Sequence, residues 1–232
     1  MKMQRILTAS KDTYITNKII DNTLRVTDAN VGSAGSLDLF KLYDENTISG
    51  ELEPIELSRI LIKFPIEEIK TMDDAGVIDI NDDSFKCILK LHDVYGGQTT
   101  PSNFKTIVFP LAQEFHEGTG MNVITFTDLG ASNYVTASIQ NGDAILWNLP
   151  GAMKSGSLGH ADIDVITSGS LSTPSRPTGM SLNVESLFEK GSEDLMVDVT
   201  HIVSGTASGQ IANHGFLIAL SVVMKRMTRH IL

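Results

Sequence analysis

The chain has 232 residues, of which 41% are hydrophobic and 20% are charged, values typical of a globular protein with a substantial core. Its net charge of −10 argues against a basic groove that neutralises nucleic-acid phosphates. No apolar run approaches the roughly 20 residues that a membrane-spanning helix needs. We therefore expect neither a nucleic acid nor a membrane among its partners.

The cysteine content and the N-terminus both favour assembly in the cytoplasm. Cys87 is the only cysteine, so it cannot form an internal disulfide, and the alternating run around it predicts packing as a small hydrophobic residue. Residues 1–7 carry charge, but the apolar run of a signal peptide does not follow them. We expect a protein that stays in the cytoplasm until cell lysis.

Short apolar runs bounded by Gly, Asn, Asp, Ser or Pro predict a set of strands. Residues 65–70 predict a short helix, with Pro65 at its start and acidic residues in its first turn. Long amphipathic helices between the strands are missing, so we expect an all-β, antiparallel β-sandwich of the jelly-roll type with long loop insertions and few short helices. The predicted strands are residues 14–20, 36–43, 58–64, 85–91, 105–111, 196–203 and 215–223.

The stretch from Met196 to Leu220 carries the clearest strand signal. Apolar residues recur at alternate positions at its two ends, and a short helical or looped crossing separates these two runs. Asn213-His214-Gly215 predicts a turn before the second run, since Asn and Gly accept positive φ angles. Nothing in this stretch is chemically reactive, which favours a structural role.

The middle third of the chain, residues 118–191, shows few strand signals and contains Ser-, Gly- and Pro-rich segments at 155–159 and 168–179. Loops of this length in a compact domain are usually functional or ordered by a partner. We expect extended arms over the sandwich or over neighbouring subunits, with a flexible surface excursion as the alternative. The chain is thus predicted to be one β-sandwich domain, 1–232, with a loop-rich insertion at 118–191 and a basic C-terminal tail at 222–232.

Candidate metal-binding patterns are incomplete. Residues 79–83 begin like a calcium loop, but Ser84 stands where an EF-hand needs Gly. His160, Asp162 and Asp164 could offer three ligands along one strand face, although we favour an exposed polar strand face or turn. Nucleotide-binding and hydrolase motifs are missing from the sequence. We therefore expect a non-enzymatic protein without catalytic residues, cofactor or metal.

Two features indicate contacts with other proteins. Trp147, the only Trp, is expected to be a core or interface anchor rather than a platform for stacking sugars. Lys225, Arg226 and Arg229 form a basic cluster near the C-terminus, and with Met227 they suit an apolar contact with a polar rim. A solvated terminal face is the other explanation of this cluster. The candidate interface residues are Trp147, Lys225, Arg226, Met227 and Arg229.

Several short segments occur in an order that is typical of one domain family. They are Asp12-Thr13-Tyr14-Ile15, an opening strand; residues 59–64, an R-x-L-I-K-F strand; residues 114–120, a W-x-E-G-x-G loop with Phe115 at its aromatic position; residues 133–138; Trp147; residues 161–164; and residues 224–230, a V-K-R-F-x-S-R-H tail. Together they resemble the DNRLRE-type β-sandwich domain. The later segments are similar to the branch found in structural proteins of tailed bacteriophages.

The resemblance implies a structural protein of a tailed-phage virion, assembled in the host cytoplasm and located in the particle. It implies docking on the tail, neck or collar, baseplate or capsid surface through other virion proteins, as a homo-oligomer or symmetric assembly. A secreted branch implies an alternative, a carbohydrate-binding or adhesion module, and a metal-dependent enzyme is the third candidate. In the phage branch a polar loop precedes the basic tail and a strand follows it, whereas here Ser221 leads directly into Val222. We therefore expect an exposed sheet edge that a partner covers.

Overall fold

The structure is a computed structural model that describes residues 4–43, 54–94, 101–124, 130–172 and 180–221. Within these ranges the chain forms mostly short strands and two eight-residue helices. The strands are β1 Lys11–Thr16, β2 Ile19–Ile20, β3 Leu24–Arg25, β4 Lys41–Tyr43, β5 Pro54–Lys63, β6 Ile88–Leu91, β7 Phe104–Pro110, β8 Thr136–Gln140, β9 Asp143–Leu146, β10 Ser155–Ser157, β11 Val165–Gly169, β12 Met180–Ser181, β13 Val184–Phe188, β14 Leu195–Asp198 and β15 Phe216–Leu220, and the helices are α1 Glu67–Asp74 and α2 Thr200–Ala207.

A six-stranded antiparallel sheet lies at the centre of the molecule. Its strand order is β1-β5-β15-β7-β13, and β4 joins it by pairing with the first residues of β5. β15 lies between β5 and β7, and its sequence FLIAL is buried at four of its five residues. A strand covered on both faces needs a continuous apolar run rather than strict alternation, and β15 has such a run.

Alternate residues of the central strands face two separate hydrophobic cores. On one side, the sheet packs against α1, α2, β11 and the β6–β14 ribbon; on the other, it packs against the chain between 111 and 165. The first core contains Tyr14, Ile60, Ile62, Leu89, Val108, Phe188, Leu195, Val197, Ile202, Phe216 and Ile218 among its buried residues. The second core contains Ile15, Leu61, Leu111, Phe115, Ala137, Trp147, Ala152, Val165, Leu217 and Ala219. The fold is therefore all-β and sandwich-like, as predicted.

Each predicted strand overlaps an observed one, but the boundaries differ. The region 196–203 is the clearest correction, because β14 ends at Asp198 and α2 starts at Thr200. The Asp198 carboxylate accepts a hydrogen bond from the backbone N–H of Thr200, which places a negative charge beside the N-terminus of the helix. The short helix predicted at 65–70 is α1, two residues further along the chain. Residues 222–223 of the last predicted strand lie outside the described residues.

The expectation of low strand density between 118 and 191 is wrong. This region contains β8 to β13, all of them short. β8 and β9 form a hairpin whose two-residue turn is Asn141-Gly142, with φ angles of 54° and 92°. Positive φ at both turn residues is the geometry for which Asn-Gly is favoured, so this hairpin has a local sequence signal. The described residues of this segment are therefore organised by strand pairing, both within the segment and, through β13, with β7 of the central sheet.

Cys87 packs as the sequence predicts, against the first core just before β6. Burial raises the pKa of its thiol to about 12, and the nearby Asp198 adds to the increase. A thiol that stays protonated at neutral pH is a poor nucleophile. Among the described residues, neither helix is long and apolar enough to cross a membrane.

Candidate functional site

Asp164, one of the three candidate ligands, lies at the centre of a buried hydrogen-bond network. Its side chain is fully buried immediately before β11. Oδ1 accepts bonds from Gln113 Nε2 at 2.9 Å and from the backbone N–H of Asn148 at 2.7 Å. Oδ2 accepts bonds from the backbone N–H groups of Leu149 and Lys154 at 3.0 and 2.9 Å. These donors replace the lost hydration of the carboxylate, so its oxygens are already committed within the fold.

His160 and Asp162 do not share a strand face with Asp164, so the three-ligand alternative is not formed. The favoured interpretation, an exposed face or turn, holds for His160 and Asp162 but is wrong for the buried Asp164. His160 and Asp162 are exposed and lie in a turn, in which Asp162 has a φ of 57° and Gly159 a φ of 84°. The turn ends where β11 begins, and only Asp164 points inward. Within the described part of the chain, no three His, Cys, Asp or Glu side chains come close enough together to hold a metal ion.

Arg59 fixes the segment that covers the second core. Its guanidinium donates to the carbonyl oxygens of Gly151 at 2.7 Å and Ala152 at 3.0 Å. Burial lowers the pKa of Arg59, while the charges of Tyr134 and Asp164 partly offset that decrease. Gly151 has a φ of 80°, and a Cβ there would lie 2.7 Å from the Tyr134 ring. The loop 149–153 therefore has little freedom to move away from the sheet.

Asn30 fixes the loop that contains the E-G-x-G segment. Its side-chain oxygen accepts bonds from the backbone N–H groups of Gly120 at 2.8 Å and Gly32 at 3.2 Å. Its amide nitrogen donates to the carbonyl oxygens of Glu117 at 2.7 Å and Ser132 at 2.8 Å. A Cβ on Gly120 would lie 1.9 Å from the Asn30 carbonyl oxygen, so only Gly fits there. These glycines therefore serve close packing, not the binding of a phosphate.

A group of charged side chains lies where this loop meets β1. Glu117 accepts a hydrogen bond from the backbone N–H of Asp12 at 2.8 Å. The pKa of Asp12 is raised by burial, by the charge of Glu117 and by a hydrogen bond between the two side chains. Glu114 lies 3.3 Å from the ammonium group of Lys11 and 3.7 Å from that of Lys63. The cluster thus contains one close carboxyl pair, Asp12 and Glu117. Glu117 covers the edge of β1 by accepting the backbone N–H of Asp12.

Trp147 belongs to the second core, which corrects its assignment as a candidate interface residue. Only 4% of the residue is exposed, and its indole N–H donates to the carbonyl oxygen of Asn133 at 2.9 Å. A side chain buried in this way has almost no surface to offer to a partner. The alternative role as a core anchor is confirmed. Lys225, Arg226, Met227 and Arg229 lie outside the described residues.

The described surface contains one feature that the sequence analysis missed, an open edge of the central sheet at β13. β13 is the last strand in the order and pairs only with β7. Its Leu187 side chain is 53% exposed, and Met196 of the neighbouring β14 is 59% exposed. The alternation of Val184 to Phe188 could have predicted a strand, but strand order depends on long-range pairing that the sequence does not reveal.

Comparisons with known proteins give the chain no relatives. No protein-family model, no curated protein and no solved structure matches it. We therefore infer the function from the geometry of the buried polar side chains and from the short segments that resemble the DNRLRE-type domain.

Proposed function

We propose that this protein is a non-enzymatic structural subunit of a tailed-phage virion, which docks on other virion proteins through protein–protein contacts. The observation that carries the proposal is the set of hydrogen bonds made by three buried polar side chains. Arg59 and Asp164 lie in segments that resemble the DNRLRE-type domain, and Asn30 contacts a third such segment, residues 114–120. Each of the three makes its hydrogen bonds mainly with backbone groups of irregular segments. They stabilise the fold rather than converge on a cavity.

This use of polar residues fits a subunit that must present fixed irregular surfaces. Ordering one residue costs on the order of 1–2 kcal/mol of backbone conformational entropy, and surface loops recover little of it by burial. Buried hydrogen bonds from Asn30, Arg59 and Asp164 offset part of that cost before assembly begins. A surface that is already ordered loses less entropy when it binds a neighbour, which favours association.

The carbohydrate-binding alternative has weaker support from the described residues. A sugar ring commonly stacks on an exposed aromatic side chain, and Trp147 is buried in the second core. Phe115 of the E-G-x-G segment is buried in the same core. Binding to a glycan array by the purified protein would favour this alternative over a virion role.

Mass spectrometry of purified particles tests the proposal. Particles from the phage whose genome encodes this chain should contain the protein at a constant ratio to the major capsid protein across gradient fractions. A protein that is abundant in the lysate but absent from the particles contradicts the proposal. Treating the particles with a protease before analysis then separates a surface position from an internal one.

A further inference from the structure

The hydrogen-bond pattern of β7 determines which backbone groups of β13 are unpaired. The carbonyl oxygen of Lys105 accepts the N–H of Ser221, and the N–H of Leu111 donates to Gly215, so the odd-numbered residues of β7 direct their backbone groups towards β15. In an antiparallel ladder the residues between them face the opposite neighbour, which is β13. On β13, Val184 lies opposite Val108, Ser186 opposite Thr106 and Phe188 opposite Phe104.

It follows that Glu185 and Leu187 direct their N–H and C=O groups away from the sheet. Within the described ranges, no backbone hydrogen bond reaches either residue from that side. β14 contacts β13, but from the side of the first core, to which both Phe188 and Val197 belong. Exposed edges with unpaired backbone groups can add a further strand, and proteins commonly cover or interrupt them.

The edge is held in position before any partner arrives. The rings of Phe104 and Phe188 stack with centroids 4.8 Å apart, which fixes the C-terminal end of β13 on β7. The ammonium group of Lys105 lies 2.8 Å from the Glu185 carboxylate, which fixes its exposed face. A strand that is already ordered loses less conformational entropy on binding. This edge therefore suits strand addition.

We propose that two copies of this chain pair through β13, antiparallel about a twofold axis at Ser186, and join their six-stranded sheets. Glu185 of one copy then lies opposite Leu187 of the other, and each pair of residues exchanges both backbone hydrogen bonds. The two Leu187 side chains become diagonal neighbours on the same face of the joined sheet.

Charge explains why a second copy fits this edge. The chain carries a net charge of −10, so most surfaces of two copies repel each other. At β13 Glu185 lies directly opposite an apolar side chain, Leu187 of the other copy. The second Glu185 is a diagonal neighbour, and each Glu185 is neutralised by its own Lys105. The edge is therefore locally neutral and complementary to itself. This pairing is independent of the virion role, because it requires only the purified chain.

The test measures the association of two chains and the protection of the edge amides from hydrogen exchange. We expect sedimentation equilibrium of the full chain to show a concentration-dependent dimer. Hydrogen exchange at the amides of Glu185 and Leu187 should be at least about tenfold slower in the dimer than at a dilution that leaves monomer. A monomer at every concentration overturns the proposal, and so does protection of these amides in the monomer, which would show that the chain covers its own edge.

Leu187→Glu provides the matched perturbation. It places a carboxylate opposite Glu185 of the second copy and should weaken the dimer by at least about tenfold. Val77→Glu is the control, because Val77 is also exposed, at 58%, but follows α1 away from the edge. A dimer that is equally strong in both variants overturns the proposal. Leu187→Pro, which removes an outward N–H, must weaken the dimer too, and circular dichroism must show that each variant is folded.

Discussion

The two edges of the central sheet, β1 and β13, differ in whether a segment of the same chain covers them. At β1 the residues Thr13, Ile15 and Thr16 are buried, and the Glu117 side chain accepts the backbone N–H of Asp12. At β13 the alternate residues Glu185 and Leu187 are exposed, and their outward backbone groups have no partner among the described residues. One edge is thus closed by a loop of the same chain, whereas no segment of the described ranges pairs with the other.

The edge at β1 is closed because a buried polar side chain holds a loop of the same chain against it. Asn30 holds the loop 116–120 against β1, and the glycines of that loop allow it to approach closely. A sheet that is closed on one side and open on the other can extend in one direction only. A subunit of this kind forms a pair through the open edge rather than an unlimited stack, because pairing two copies consumes both open edges.

The largest expected effect comes from opening the closed edge with Asn30→Ala. The substitution removes the partners of Gly32, Gly120, Glu117 and Ser132, and leaving buried backbone groups unpaired costs about 1–3 kcal/mol each, offset in part by water and relaxation. We expect the free energy of unfolding in urea to fall by about 4 kcal/mol. Asn81→Ala, on an exposed turn, is the control and should change it by less than about 0.5 kcal/mol. Equal effects of the two variants would show that Asn30 does not hold the loop.

Proline substitutions along β13 give an intermediate effect and sharpen the comparison. Ser186 faces β7 in the ladder, so Ser186→Pro removes an internal hydrogen bond and leaves a carbonyl of β7 unpaired. This should lower the free energy of unfolding of the monomer by about 1–3 kcal/mol. Leu187→Pro should cost clearly less, because its N–H points away from the sheet. Thermal melts at a concentration that leaves the protein monomeric would measure both. A larger loss of stability in Leu187→Pro than in Ser186→Pro would show that the assignment of inward and outward residues is wrong.

The sequence predicts the parts of this fold whose signals are local. β5 and β15 follow from their apolar runs, and the turn before β15 follows from Asn213-His214-Gly215, where Gly215 has a φ of 97°. The β8–β9 hairpin was also predictable, since Asn141-Gly142 is a strong turn signal that the low-density interpretation of 118–191 overlooked.

The sequence does not predict the network around Asp164 or the position of Trp147. Asp164 receives its hydrogen bonds from Gln113 and from residues 148–154, and no local pattern indicates that such groups converge. The open edge was missed for a related reason. An exposed edge was expected after residue 220, from the resemblance, whereas the open edge of the described chain is β13, and its position depends on the order in which distant strands pair.

The smallest expected effect concerns the charge pair at the closed edge, and it depends on pH. Burial and the nearby Glu117 raise the pKa of Asp12 above its usual 3.8, so the folded state binds a proton at Asp12 more tightly than the unfolded state does. The resulting stabilisation is fully present below pH 3.8 and is lost as the pH rises through the raised pKa. At neutral pH the charged Asp12 therefore destabilises the edge slightly.

Asp12→Asn should remove this penalty and increase the free energy of unfolding at pH 7. The gain should be below about 1 kcal/mol, because Asp12 is only partly buried and solvent screens its interaction with Glu117. Below pH 3.8 the gain should disappear, since Asp12 is then protonated in the folded and unfolded states alike. Urea unfolding at a series of pH values, with Asp83→Asn as an exposed control, would measure the difference. A variant that is less stable than the natural chain at pH 7 would mean that the Asp12 carboxylate stabilises the closed edge.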